Sequence, residues 1–328
     1  MQEAQARALT VQAGRELLEK GLVARTWGNV SCRLDADTMV ITPSGLDYTA
    51  TTEADIVKYT LSTGEWEGLH KPSSEKGIHA AAFECFPEVS FVIHTHQNAA
   101  SATSLAGFSS LIITPREREQ LGGIALAAYG LPGTKTLWNA VRRCLETGAH
   151  TVLMARHGVL IAARDKDEAM ERAALLETVC TRSLKCLPQH EIPDNTALLE
   201  RIRQRYPHAD IAATPNLLCQ ADTGRSIYAQ LDDMAQMIGG LIPLVRSERT
   251  ALRYLEYYNT VLMPGAGAIV NAEDADDTEA LKLLADKAAL CALHTRGCRA
   301  YSRLSPADVV LMRSVYRLKY SKQKGSKK

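Results

Sequence analysis

Three histidines and one glutamate are spaced as a metal site requires. His94 and His96 end an apolar, β-branched run that predicts a buried strand, and residues two apart on a strand point to the same face. Their Cα atoms should lie roughly 6.6 Å apart, so that two imidazoles reach one cation. His157 stands between two other apolar runs, and Glu75 follows Pro72 at a predicted helix start. Three imidazoles and one carboxylate are ordinary ligands for zinc.

Each of these residues also has a plain structural interpretation. A serine cap and an acidic first turn suit many helix starts, and a single buried histidine is commonly satisfied by hydrogen bonds. The combination of all four residues favours the metal site. His79 lies one helical turn after Glu75 and either orients that carboxylate or only packs, and the sequence leaves both open.

The elements that must position these side chains are a helix and two pairs of strand ends. A helix predicted over residues 72–86 carries Glu75 in its first turn, and a strand over 89–96 carries the histidine pair. Strands around residues 151–154 and 159–161 flank His157. The other predicted elements are helices over residues 3–21, 49–59 and 165–186 and strands over 30–33 and 39–42.

Five short motifs resemble the class II aldolase/adducin family, and most closely its L-fuculose-1-phosphate aldolase-like members. They are T-x-G-N-V-S at residues 26–31, I-T-P-S-G at 41–45, P-S-S-E at 72–75, H-x-H at 94–96 and H-G at 157–158. The resemblance covers roughly residues 5–187. It implies an α/β protein, with a three-layer α/β/α fold around a central mixed β-sheet. It also implies a class II, metal-dependent aldolase-type lyase with one Zn²⁺ per chain.

The resemblance also implies a role for each site residue. Zinc is held by Glu75, His94, His96 and His157, and Glu75 then leaves the metal to act as catalytic acid and base in a retro-aldol cleavage. Two glycine turns and the start of the Glu75 helix form a phosphate cradle, which suits free N–H groups and a helix dipole. Its members are Thr26, Asn29, Ser44, Gly45, Ser73 and Ser74. Residues of these types are common in turns and caps without any ligand.

The chain departs from the family at the tyrosine that the resembling aldolases use for proton transfer. Residues 113–116 read Ile-Thr-Pro-Arg there, and Tyr129 is either a substitute or a core residue. The glutamate at position 75 argues against the sugar-phosphate 4-epimerases, which carry an aspartate. A dehydratase or a decarboxylase remains open. A non-catalytic, adducin-like binding module is disfavoured because all four ligands are present.

Composition excludes several classes of protein. The formal net charge is +1, which gives no general attraction to nucleic acid or membrane. Eight cysteines include no CxxC pair, and no apolar run reaches a membrane span. We therefore expect a cytoplasmic protein, and the resemblance implies an enzyme of carbohydrate metabolism that acts on a small molecule. The resemblance implies a homo-oligomer, either a dimer or a tetramer.

The second half of the chain repeats part of the first. Residues 261–294 echo residues 152–185 at a constant shift of 109 positions, and in this register His157 becomes Ala266. The sequence thus predicts a smaller α/β region that is a degenerate partial repeat without metal ligands, although a chance match of two βα units is the alternative. The predicted domains are residues 1–190 (metal-binding), 191–198 (linker), 199–315 (truncated repeat) and 316–328 (basic tail).

Overall fold

Two units follow one another along the chain. The computed structural model describes residues 1–184 and 190–325. The first unit is Met1–Ser183 and the second is Leu184–Lys328. Residues 185–189, where the predicted metal-binding domain nears its end, lie outside the described residues, as do residues 326–328 of the predicted basic tail.

The first unit contains both helices and strands. Its helices are α1 (Glu3–Glu19), α2 (Lys76–Cys85), α3 (Asn98–Ala106), α4 (Pro115–Gln120), α5 (Lys135–Leu145) and α6 (Lys166–Ser183). Its strands are β1 (Asn29–Arg33), β2 (Thr38–Ile41), β3 (Val57–Thr60), β4 (Trp66–Glu67), β5 (Phe91–Thr95), β6 (Ile124–Ala127), β7 (Thr151–Met154) and β8 (Val159–Ala163).

All these strands join one sheet. Their order is β4-β3-β2-β1-β5-β8-β7-β6. The pair β6 and β7 is parallel, and the other neighbours are antiparallel, so the sheet is mixed. Strand β5 lies between β1 and β8, and all five of its residues are buried. Its first three residues, Phe91, Val92 and Ile93, are all apolar, as a strand covered on both faces requires.

Helices cover both faces of the sheet. Helices α2 and α5 pack on one face, where Ile78 and Leu137 share a hydrophobic core with Val92, Val152 and Leu160 of the strands. Helix α1 contacts β1, helix α3 contacts β7, and helix α6 contacts β5 and β8. Because successive strand residues point to opposite faces, the buried residues on either side of Val92 in β5 face these helices. The predicted three-layer α/β/α fold with a central mixed sheet is confirmed.

Two local predictions were wrong. Residues 49–59 were expected to form a helix, but a single 3-10 turn, Glu53–Asp55, leads directly into β3. Val57 and Tyr59 are the buried residues of that strand, so its apolar positions repeat every two residues. Glu75 was expected in the first helical turn, but it is the N-cap residue of α2.

The second unit is a smaller α/β structure. Its helices are α7 (Thr196–Arg203), α8 (Pro215–Asp222), α9 (Asp232–Met237), α10 (Glu248–Tyr254), α11 (Ala275–Gly297) and α12 (Pro306–Gly325). Its strands are β9 (Asp210–Ala212), β10 (Ile227–Tyr228), β11 (Leu241–Ile242), β12 (Thr260–Met263) and β13 (Gly267–Val270). They form one sheet of order β12-β13-β9 and a second of β10 and β11.

Two predicted boundaries fall inside helices of this unit. Helix α7 begins at Thr196, within the predicted linker 191–198, and α12 continues through residues 316–325 of the predicted basic tail. The domain limits and the degenerate repeat remain predictions. Among the described residues, no helix is both long and apolar enough to cross a bilayer.

Candidate metal centre

Three histidines of the first unit converge on one point. His94 lies in β5, His96 follows the end of that strand, and His157 lies in the turn between β7 and β8. The Nε2 atoms of His94 and His96 are 3.0 Å apart. One ring nitrogen from each of the three residues lies within 4.8 Å of the others. Ligand atoms about 2 Å from a tetrahedral ion are roughly 3.3 Å apart, so a small contraction closes this cluster on one ion.

His94 is held in the tautomer that a metal ligand needs. Its Nδ1 atom lies 2.8 Å from the carbonyl oxygen of Val159, and a carbonyl only accepts, so Nδ1 carries the proton. In the neutral ring Nε2 then has a lone pair. That atom faces both His96 Nε2 and a Glu75 oxygen at 3.0 Å. Two lone pairs, or a lone pair and a carboxylate, repel at this distance unless a proton or a metal ion lies between them, and the chemistry of the donor set fits a metal ion.

Glu75 contacts two of the three histidines. One carboxylate oxygen lies 2.7 Å from Nε2 of His157, and the other lies 3.0 Å from Nε2 of His94. The Glu75 backbone N–H donates to the hydroxyl of Ser73 at 3.2 Å, which fixes the turn before α2. The residue is 6% exposed. The structure therefore brings all four predicted ligands together.

Burial and charge act in opposite directions on the Glu75 carboxyl. Burial raises its pKa, but the adjacent His94 and His157 outweigh burial, and the net pKa lies well below the usual value. Beside the imidazoles the carboxylate is held ionised, as a metal ligand must be.

Asn29 has a position that the sequence argument did not foresee. It was predicted to contact phosphate, but its side chain is buried and its amide N–H donates to a Glu75 oxygen at 3.1 Å. The Asn29 carbonyl oxygen contacts Nε2 of His79 closely. The hydroxyl of Ser31 contacts Nδ1 of His79 at 2.6 Å. His79 thus reaches Glu75 through Asn29 rather than directly.

The other predicted cradle residues lie on segments that meet near Glu75. The backbone N–H of Ser44 donates to the Lys71 carbonyl at 3.0 Å, and the N–H of Ser73 donates to the Thr42 carbonyl at 3.1 Å. Pro43 and Pro72 form an isolated antiparallel bridge between the same segments. The exposed residues are Ser44, Gly45 and Ser74; Ser73 is buried and Thr26 is half-buried. Their contact with phosphate remains a prediction.

Gly28 allows the cradle segment to approach the metal site closely. Its φ is +91°, and a Cβ atom there would lie 2.5 Å from the His94 carbonyl oxygen and 2.8 Å from Val23 Cγ1. An L side chain is both strained and obstructed at this position. The T-x-G motif is therefore required for the packing of β1 against β5.

A strained arginine adjoins the third histidine. Arg156 has φ of 67°, in the left-handed region that non-glycine residues rarely adopt. Its guanidinium lies 5.9 Å from the centroid of the half-buried Tyr129 ring. Tyr129, the predicted substitute for the proton-transfer tyrosine, is thus next to the segment that carries His157.

Ser31 and the strained Arg156 were missed by the sequence argument. Ser31 lies two residues after Asn29 on β1, so strand alternation places both side chains on one face. That spacing, together with His79 one turn after Glu75, was the available signal. No comparable signal marks Arg156, because its backbone conformation is set by the β7 to β8 turn.

Known proteins share this architecture. The family model described as the class II aldolase and adducin N-terminal domain matches residues 8–184, more than half of the chain. The chain is 32% identical over 213 residues to the 5-methylthioribulose-1-phosphate/5-deoxyribulose-1-phosphate aldolase of Rhodospirillum rubrum, which covers 63% of this chain and 93% of that protein.

Solved structures also resemble the chain. YgbL of Klebsiella pneumoniae, a candidate aldolase/epimerase/decarboxylase, is 26% identical with a TM-score of 0.50, over 56% of this chain and 89% of that one. An L-fuculose 1-phosphate aldolase is 28% identical with a TM-score of 0.49, over 54% of this chain and 84% of that one. The prediction of a class II aldolase-type enzyme is confirmed at the level of the family. The chain belongs to the class II aldolase and adducin family.

Proposed function

We propose that this chain is a zinc-dependent lyase that cleaves a carbon–carbon bond of a small phosphorylated ketose by a retro-aldol reaction. The observation that carries the proposal is the contact of the Glu75 carboxylate with Nε2 of both His94 and His157. A carboxylate that reaches two imidazoles of a three-histidine cluster is placed to bind a metal and to exchange protons beside it.

One zinc ion per chain would be held by His94, His96 and His157, with Glu75 as the exchangeable ligand. When bound, zinc supplies a Lewis acid that polarises a substrate carbonyl or hydroxyl oxygen. The Val159 carbonyl fixes the His94 tautomer in advance. Burial of Glu75, His94 and His157 limits access of water and strengthens their electrostatic interactions, and His96 is half-buried.

The reaction requires two proton transfers by side chains of this protein. As the carbon–carbon bond breaks, a hydroxyl on one carbon loses its proton and becomes a carbonyl. The electron pair of the bond passes to the other fragment, which takes up a proton at the carbon that lost the bond. Glu75 is proposed to donate the proton to that carbon. Tyr129 is proposed to accept the hydroxyl proton.

The phosphate group of the substrate is proposed to bind at the segments around Ser44, Gly45 and Ser74. These three residues are exposed, and they lie where residues 42–44 and 71–73 are joined by backbone hydrogen bonds. The hydroxyls of Thr26 and Ser73 and the backbone at Asn29 complete the proposed cradle. Free N–H groups at a helix start favour an anion there.

The Rhodospirillum rubrum relative suggests the first substrates to test. That protein is an aldolase for 5-methylthioribulose-1-phosphate and 5-deoxyribulose-1-phosphate, and the match spans 93% of its length. We propose ketose 1-phosphates of this size for the present chain. Cleavage of either compound between its third and fourth carbons releases dihydroxyacetone phosphate and an aldehyde.

The decisive assay measures dihydroxyacetone phosphate released from a panel of ketose 1-phosphates by the zinc-loaded protein. Unphosphorylated and carboxylated analogues are assayed in parallel. Release from phosphorylated compounds alone supports the proposal. Activity on a carboxylated analogue only would contradict the phosphate cradle and favour a decarboxylase, and loss of water without cleavage would identify a dehydratase.

The same protein preparation tests the remaining alternatives. A lack of stoichiometric zinc in the purified protein would favour a non-catalytic binding module, and interconversion of sugar phosphates would favour a 4-epimerase. We infer a homo-oligomer, a dimer or a tetramer, to be checked by light scattering. The cysteines of the described residues are all outside disulfides, which supports the cytoplasm as the compartment.

A further inference from the structure

A chain of buried hydrogen bonds leads from β1 through α2 to the Glu75 carboxylate. We propose that Ser31 and His79 are positioning residues that act through Asn29 to hold this carboxylate against His94 and His157. The inference deepens the proposed function, but its geometry stands whichever reaction the site performs.

The direction of every bond in the chain follows from one fixed acceptor. The amide of Asn29 donates to Glu75, so its carbonyl oxygen is the atom that faces His79. That oxygen only accepts, so Nε2 of His79 carries the proton and donates it. Nδ1 of His79 then has the lone pair and accepts from the Ser31 hydroxyl at 2.6 Å. One assignment therefore satisfies all the groups.

Deep burial gives these bonds their importance. Ser31 and His79 are 0% exposed and Asn29 is 4% exposed. A buried polar group that loses its partner costs about 1–3 kcal/mol, so each member constrains the next. Burial, with a smaller contribution from His94, lowers the pKa of His79 to about 3, so its ring is neutral. A neutral ring has one donor and one acceptor, as the chain requires.

The chain of hydrogen bonds gives the Glu75 carboxylate a third contact. Its carboxylate contacts His157 through one oxygen and both His94 and Asn29 through the other. Without the Asn29 amide the carboxylate loses one of the three contacts that restrict its rotation about its last side-chain bond. A group that must alternate between metal and substrate needs a defined position for each transfer.

Nuclear magnetic resonance tests the direction of the chain without any substrate. In the protein labelled with ¹⁵N at histidine, we expect His79 to be neutral with its proton on Nε2 near neutral pH. The peak is assigned by its loss in His79→Gln. A proton on Nδ1, or a charged ring, would overturn the proposal.

Kinetics of two matched variants test the positioning role. His79→Gln keeps an N–H donor for the Asn29 carbonyl, and His79→Leu fills similar space without one. We expect kcat of His79→Leu to fall about 10- to 100-fold with KM nearly unchanged, and His79→Gln to recover most of the loss. Zinc content should stay at one per chain in both. Equal activity of the two variants would contradict the proposal, and His70→Gln, an exposed histidine bonded to Asp55, serves as control.

These two experiments separate this inference from the proposed function. If no substrate is found, the tautomer of His79 still decides the hydrogen-bond chain. A chelator competition then replaces kinetics, and we expect His79→Leu to bind zinc about 10-fold more weakly than His79→Gln. Equal zinc affinities would count against the chain.

A different set of observations concerns the second unit. We propose that it contains a second copy of the strands that build the metal centre. In this copy, each position that corresponds to a metal ligand has a different residue. The hairpin β7–β8 pairs Thr151 with Ile161, and the hairpin β12–β13 pairs Thr260 with Val270. Thr260 lies 109 positions after Thr151, and Val270 lies 109 positions after Ile161. This is the shift that relates the two sequences. The register of the two hairpins is therefore identical.

The neighbouring strands correspond as well. On one side of the hairpin, β8 pairs antiparallel with β5, and β13 pairs antiparallel with β9. On the other side, β7 pairs parallel with β6, and Leu262 forms a parallel bridge with Leu244. The strand order around the site is thus the same in both units. Two unrelated βα units have no reason to share all four strand positions.

The turns match in backbone conformation. Arg156 and Gly265 occupy equivalent positions with φ of 67° and 73°. The following glycines are also equivalent, because a Cβ at Gly158 would overlap the Thr95 carbonyl oxygen and a Cβ at Gly267 would overlap that of Ala212. Thr95 of β5 and Ala212 of β9 occupy equivalent positions in the two matched strand pairs.

The equivalent of Glu75 keeps a contact with the equivalent of His157. Asn195 precedes α7 with φ −96° and ψ 6°, and Glu75 precedes α2 with φ −102° and ψ 11°. The Asn195 amide donates to the Ala266 carbonyl oxygen at 2.9 Å. The positions of Glu75, His94, His96 and His157 are thus taken by Asn195, Ile211, Ala213 and Ala266. None of these side chains is a strong zinc ligand.

Grafting the ligands tests this correspondence. In a chain whose own His94, His96 and His157 are replaced by alanine, the four changes Asn195→Glu, Ile211→His, Ala213→His and Ala266→His should restore one tightly bound Co²⁺ with tetrahedral absorption. Ile211 and Ala213 are half-buried, so the new rings have room. A control graft with Asp210→His instead of Ile211→His points one ring to the other face and should bind at least 10-fold more weakly.

Equal binding by the two grafts, or none by a graft that stays folded by circular dichroism, would contradict the proposal. If the graft unfolds, an experimental structure of the unaltered chain decides the question. The strand order and the register of β9, β13 and β12 must then match those of β5, β8 and β7. A different register would refute the duplication.

Discussion

The Nε2 atom of His94 lies 3.0 Å from an oxygen of Glu75, although the proton of that ring is on Nδ1 and is donated to Val159. This arrangement is unfavourable while the His94 ring is neutral, because a lone pair then faces a carboxylate. It becomes favourable as soon as a cation is placed among these atoms. The same atoms therefore predict how the protein responds to metal and to substitutions.

Removal of zinc should lower stability. A ligand that binds only the folded state stabilises it by about 2.7 kcal/mol when its free concentration is 100 times Kd. We expect a chelator to lower the melting temperature of the first unit and added zinc to restore it. The variant in which His94, His96 and His157 are all alanine should not respond to zinc. A response that persists in this variant would place the metal elsewhere.

Replacing Glu75 by glutamine should reduce turnover more than metal content. The amide cannot carry the proton that the reaction needs, and loss of a general acid/base costs about 10²- to 10⁴-fold in rate. The three imidazoles remain, so zinc should stay near one per chain. Turnover and zinc are measured on the same samples, with Glu84→Gln, a partly exposed glutamate on α2, as control. Parallel loss of both quantities would make Glu75 only a ligand.

Gly28→Ala should damage both stability and the metal site. The new Cβ would meet the His94 carbonyl oxygen at 2.5 Å at a φ of +91°. Overpacking and the backbone cost together predict a loss of about 2–5 kcal/mol. Gly21→Ala is the matched control, since its φ is +66° and nothing lies within 4 Å of its Cβ. It should lose only about 1–2 kcal/mol, by urea unfolding, with zinc affinity unchanged.

Arg156→Gly should keep stability and lose activity. Its φ of 67° favours glycine, so the free energy of unfolding should be unchanged or rise by up to about 1 kcal/mol. A charged residue at a strained position beside His157 indicates a role in the reaction, and we expect kcat/KM to fall. The counterpart Gly265→Ala should instead lose about 1–2 kcal/mol. Full activity of Arg156→Gly would mean that the strained residue has no role in the reaction.

Tyr129→Phe tests the proposed acceptor of the hydroxyl proton. The substitution keeps the ring that faces the Arg156 guanidinium and removes only the hydroxyl. We expect kcat to fall at least about 100-fold, as for other acid/base groups, with zinc content and unfolding unchanged. Undiminished kcat would mean that another group, such as one from a second copy of the chain, takes this proton.

Much of the site was predictable because its residues lie at short, regular spacings. The i, i+2 spacing of His94 and His96 and the motif before α2 placed three of the four ligands on named elements. The three-layer architecture was predicted from the family resemblance, and the apolar run before His94 is consistent with a central strand of that fold. His157 is 61 positions beyond His96, so its place at a break between two apolar runs, rather than its spacing, marked it as the third histidine, and the family resemblance agreed.

The parts that were not predictable depend on contacts between distant segments. Asn29 was assigned to phosphate by its turn, but tertiary packing directs its amide to Glu75. The 49–59 segment was given helical character because its two apolar positions in the strand were too few to show a period of two. Glu75 is the N-cap rather than a first-turn residue because its backbone N–H bonds to the Ser73 hydroxyl, and the helix begins later than expected.

The acceptor that sets the His94 ring is the main chain of Val159, whereas the acceptor and donor around His79 belong to side chains. No point mutation at position 159 can delete a carbonyl oxygen, so drift there leaves the metal-binding tautomer intact. A single codon change at Ser31 or Asn29, by contrast, breaks the other chain. Descendants of this protein should therefore lose the precision of their chemistry sooner than they lose their metal.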